Sequence, residues 1–147
     1  MGEFDPLQER HQFECWLYDM ERTIRRFLQG PAREIAPELD YTPASLEVLE
    51  HWLIEKYPSI EALLQPREAE ILDAASRYIG ETLRYACGGS WTIYLEDKTR
   101  SYFGIPVLEG FTVPVAPLSL ATAAVQRREG FFLIQLFYHL KRMNVVH

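Results

Sequence analysis

Residues 87–110 read CGGSWTIYLEDKTRSYFGIPVLEG, and the fold class hangs on them. Trp91, Ile93 and Leu95 alternate with Thr92, Tyr94 and Glu96, which is strand composition with a strand period. Asp97-Lys98 can turn the chain, and the run from Thr99 to Leu108 can return it as a second strand. Pro106 has no N–H to give to a ladder, so that strand is an edge or is bulged there. A reactive loop is the competing reading. A nucleophile elbow needs G-x-S-x-G at a strand-to-helix turn. Here Gly88-Gly89-Ser90 follows a helical pattern and precedes a strand, and the closing glycine is missing. A phosphate loop fails too, because neither GxxxxGK[ST] nor a following helix N-terminus is present. The stretch reads as a helix stop followed by a hairpin.

Helical patterns surround it. Phe13, Trp16, Leu17, Met20, Ile24, Phe27 and Leu28 form one apolar stripe that ends at Gly30-Pro31. In the second helix, Thr42 can cap and Pro43 suits the first position. Leu46, Leu49, Trp52 and Leu53 are its buried stripe, with Glu47, Glu50, His51 and Glu55 facing elsewhere. Pro66 opens a third long helix that runs to Cys87, with Gly80 inside it letting another element approach. A fourth follows Pro117. The fifth, Phe131–Met143, is apolar nearly all round and is expected to pack centrally or against a partner. The expectation is an α+β protein, mainly helical, with about five helices and one small antiparallel hairpin in a single domain spanning 1–147.

The chain carries 21 acidic and 15 basic residues, a net charge of -6. The excess is uneven. Up to residue 75 there are 16 acids against 7 bases, and from 76 onward 5 acids against 8 bases. That balance argues against nucleic acid or anionic lipid and suits a cationic partner. No apolar run reaches the ~20 residues of a membrane span. MGEFDPLQER lacks the apolar core of a secretory leader, and Cys15 and Cys87 are outside any CxxC. A reduced, cytoplasmic protein is expected.

Glu47, His51 and Glu55 recur at four-residue steps. The spacing can offer metal ligands, but without HExxH or an outside ligand it reads as a solvated polar face. Asp73, Arg77 and Glu81 read as a salt-bridged helix flank. Cys87 is near a helix C-terminus, where the dipole disfavours a thiolate. No catalytic residue, metal or cofactor is therefore expected.

LDYTPASLEVLEHWL, ILDAASRYIGETLRYACGGSWTIYLED and GIPVLEG resemble elements of small bacterial proteins of unassigned function. Those share a Ser-Leu helix, a Tyr-Ile-Gly-Glu helix and a Gly-Gly-x-Trp hairpin, matched here by Ser45, Leu46, Tyr78, Ile79, Gly80, Glu81, Gly88, Gly89 and Trp91. Small acidic proteins of this kind are similar to toxin-immunity proteins. The resemblance implies a binding role and supplies no catalytic residues. The sequence thus points to a non-enzymatic, immunity-type protein that neutralises a cationic bacterial toxin. Its partner-binding surface is expected at Glu47, Glu50, Glu55, Trp91, Tyr94, Glu96 and Asp97. The alternative is a ligand-binding or enzymatic domain, with a cleft between the hairpin and the third long helix around Tyr78, Glu81 and Trp91. A third reading is a homo-oligomer formed through Phe131–Leu140.

Overall fold

The computed structural model describes residues 4–144. The chain runs α1 (Pro6–Tyr18), α2 (Met20–Gln29), α3 (Pro43–Lys56), α4 (Ile60–Leu63), α5 (Ala69–Cys87), β1 (Ser90–Ile93), β2 (Pro106–Glu109), α6 (Pro117–Arg127) and α7 (Phe132–Asn144). Single 3₁₀ turns lie at Ala36–Glu38 and Pro66–Glu68. The α+β class stands, with seven helices among the described residues instead of about five. Two local events make the difference. The first long helix breaks at Asp19, whose ψ of 9° leaves the helical range while its N–H still reaches the Cys15 and Leu17 carbonyls. The second is that SIEALL forms a real turn of helix, because Ser59 Oγ accepts the Ala62 N–H at 3.2 Å.

The hairpin also differs from expectation. β1 and β2 are antiparallel, with Ser90 opposite Glu109 and Ile93 opposite Pro106. The link between them is residues 94–105, not a tight turn at Asp97-Lys98. Asp97 Oδ1 accepts the Thr99 N–H and hydroxyl at 3.0 and 2.6 Å, which fixes only a local bend. Gly104, with φ +76°, donates to the Tyr94 carbonyl and closes the loop. Pro106 takes the first position of β2, where a ladder tolerates it.

α5 is the axis of the molecule, packed against α2, α3, α6 and α7. From Ala74 to Leu83 every residue on it is buried. Gly80 is where the hairpin meets this axis. A Cβ built there would fall 2.2 Å from the Trp91 ring and 3.1 Å from Pro117, so only glycine admits the indole. A satellite cluster of Phe13, Ile93 and Leu95 joins the hairpin to α1. α7 buries Leu133, Phe137 and Leu140 and leaves Tyr138 about half exposed, as is Phe131 just before it, so it is covered on one face rather than all round.

Glu50 corrects the reading of α3. It is fully buried, not surface-facing. Its carboxylate accepts three backbone N–H groups, from Gly130 at 2.9 Å, Phe132 at 3.2 Å and Leu133 at 2.8 Å. Phe132 and Leu133 are donors that the first turn of α7 leaves without a helical partner, and Gly130 lies in the turn just before it. Arg128 returns the contact, donating from Nη1 to the Tyr57 carbonyl at 2.8 Å and from Nη2 to the Ile54 carbonyl at 2.9 Å. α7 thus starts on a side chain of α3, and α3 ends on a side chain from the α6–α7 connection. Arg128 is left-handed (φ +55°), which ends α6.

Two stability outcomes follow. Glu50→Ala strands three buried donors, and urea unfolding should show a loss of about 3 kcal/mol. Gly80→Ala gains about 1 kcal/mol of helix propensity, yet should lower the melting temperature because the Trp91 ring has to move.

Candidate functional site

The expected partner residues fall into two separate places. On α3, Glu47, His51 and Glu55 line a shallow groove of about 270 Å³ whose other walls are Ile35, Val48 and Trp52. Glu47 and Glu55 are exposed, and among the described residues neither is in an ion pair. The Trp52 ring meets Phe27 edge-on at 5.5 Å, and Lys56 Nζ lies 5.8 Å from its centroid. The groove joins apolar and aromatic surface to two carboxylates one helical turn either side of an imidazole. Ile35 and Trp52 were not among the expected partner residues. Trp52 falls by its spacing in the buried stripe of α3, but it is only half-buried, and nothing local in the sequence signals its exposed edge.

The hairpin residues line another groove, of about 510 Å³, shared with no residue of the first. Tyr94, Glu96 and Asp97 stand there with Arg10 and Arg100, so its charge is mixed. The Arg100 guanidinium lies 4.1 Å over the Tyr94 ring, and the Tyr94 hydroxyl donates to Glu109 at 3.3 Å. Thr99 holds the exposed Asp97 carboxyl below the usual carboxylate range, mainly through its hydroxyl. Glu50 belongs to neither groove.

Trp91 is half-buried and structural. Its Nε1 donates to Glu81 at 3.3 Å, and its ring meets Trp16 edge-on at 4.9 Å. The indole therefore fills the space between the hairpin and α5 in which a cleft was considered. Tyr78 is fully buried, and Glu81 is buried and paired with Arg84 at 2.6 Å. Arg77 pairs with Asp73 as the spacing suggests, but it is buried. It also donates to the Trp16 carbonyl at 2.6 Å and lies 4.2 Å from the Trp16 centroid. Trp16 Nε1 donates to Asp73 at 2.8 Å, closing that network.

Among the described residues no group of three His, Cys, Asp or Glu side chains is arranged to hold a metal, and no helix is long and apolar enough to cross a membrane. No disulfide joins Cys15 to Cys87. Burial raises the Cys87 thiol above its ordinary range, with Lys141 pulling the other way.

A tyrosine cluster braces the entry to α3. Tyr41 is held left-handed (φ +64°), its N–H donating to the Tyr78 hydroxyl at 2.8 Å and its ring stacked on Tyr78 at 4.8 Å. The Ser45 hydroxyl, 2.7 Å from that oxygen, donates onward to the Thr42 carbonyl at 2.6 Å, so Tyr78 donates to Ser45. Burial, aided by Tyr85 and Tyr78, pushes the Tyr41 phenol up to about 12. Burial also raises Tyr57, helped by its bond to Glu68.

Comparison with family models, with curated proteins and with solved structures finds no match to this chain.

The raised phenols stay neutral in the folded protein beyond the pH at which the unfolded chain ionises, near 10.0. The stability they add is complete below that pH and is lost as pH rises towards about 12. Unfolding free energies measured across this range should fall, with phenolate absorbance from Tyr41 and Tyr57 appearing together with unfolding.

Proposed function

We propose that this protein is a non-enzymatic binding module that receives a basic segment of another protein, in the manner of an immunity-type inhibitor of a bacterial toxin. One observation carries the reading. Glu47 and Glu55 stand unpaired over a groove with an aromatic wall, in the stretch of chain where acids most outnumber bases. A lysine or arginine side chain entering there gains two carboxylates and the Trp52 ring, on which Lys56 already rests. Complementary charge of this kind accelerates association and rejects acidic partners. The hairpin groove fits a basic partner less well, because Arg10 and Arg100 face it. The reading therefore centres on Glu47 and Glu55 rather than on Tyr94, Glu96 and Asp97.

A fluorescent hexa-arginine peptide tests it. The wild-type protein should bind the peptide and lose affinity as salt rises from about 50 to 200 mM. The double reversal Glu47→Lys with Glu55→Lys should weaken binding about tenfold or more. An equal reversal at the exposed Glu14 and Glu61, outside the groove, should cost much less. Equal losses in the two double variants would reduce the effect to net charge and overturn the assignment.

A further inference from the structure

We infer that His51 makes the α3 groove pH-responsive: a cationic side chain is held while the imidazole is neutral and released when it is protonated. This rests on the reading of the groove as a cation site. His51 is exposed, and its ring is packed on one side. It lies one helical turn from both Glu47 and Glu55 and lines the same groove. On its other side, Nε2 is 2.9 Å from where a Cβ on Gly130 would be, so the ring is seated against the α6–α7 turn at a residue that only glycine suits. That turn is itself pinned, because Gly130 donates to the buried Glu50.

The charges around the ring are few. On α3 they are Glu47 and Glu55, together with Lys56, which is directed at the Trp52 and Tyr57 rings. On the turn ahead of Gly130, Arg127 is paired with Glu129 and Arg128 is engaged with α3 carbonyls. On the far wall, Arg33 and Glu34 precede Ile35. With a neutral imidazole, the groove's own lining presents two carboxylates. Protonation sets a positive charge between them, where an incoming guanidinium has to sit.

Hexa-arginine, which stays fully charged throughout, isolates the effect. Between about pH 7.5 and pH 5.5 its affinity for the wild-type protein should fall about fivefold. His51→Asn, and independently His51→Gln, should bind with nearly equal affinity at both pH values. By reciprocity, saturating peptide should move the NMR titration midpoint of the His51 ring protons to lower pH. Absence of binding at pH 7.5 would overturn the cation-site reading itself. Binding that is equally tight at both pH values, or the same fall persisting in both His51 variants, would overturn the role of His51 and leave that reading in place.

Discussion

A single buried carboxylate holds the C-terminal third of the molecule in place. Glu50 reaches from α3 to the start of α7 and satisfies three amides at once. The positive end of the α7 dipole and the three donors together make it possible to bury a negative charge among apolar side chains. Arg128 completes the arrangement from the other direction by covering the exposed carbonyls of α3. Because the two caps are reciprocal, α3 and α7 cannot be considered separately. The orientation of α3 towards solvent, and so the position of Glu47, His51 and Glu55, follows from where Glu50 is tied.

The second organising contact is the meeting of Trp91 with Gly80. The absence of a side chain on α5 lets the hairpin lay its indole against the helix axis, and Glu81 and Trp16 fix the ring there. Trp16 is in turn clamped by Asp73 and Arg77. Five aromatic or charged residues from three elements thus act as one joint between α1, α5 and β1. The joint occupies the volume between the hairpin and α5 in which a cleft was considered.

Much of the architecture was legible in the chain. Thr42-Pro43, Gly88 and Pro117 mark helix ends by local chemistry, whereas the unbroken burial of α5 from Ala74 to Leu83, charged residues included, has no such local mark. What was hidden depended on contacts distant in sequence. Glu50 looked like one more surface acid, yet Leu46, Leu49, Glu50 and Leu53 share the i, i+3, i+4, i+7 spacing of a buried stripe. Its partners, some eighty residues away, could not be seen from α3. Asp97-Lys98 suggested a tight turn because turn residues report only local bending. Register was set instead by Pro106 and by Trp91 docking on Gly80. The acidic excess was visible, but its division between two grooves, one containing arginines, required the fold.

The link between β1 and β2 spans residues 94–105; Leu95 is buried in it, whereas residues 96–101 are exposed. Loop-closure entropy rises only slowly with length, by about 0.6 kcal/mol for each doubling. The strands are held in register by an anchor in the helical layer, not by the tip that connects them. Residues at that tip can therefore be lengthened, shortened or exchanged at small cost to folding. The tip is a plastic appendage on a frame fixed elsewhere, the part of this scaffold where a change of length or side chain costs least.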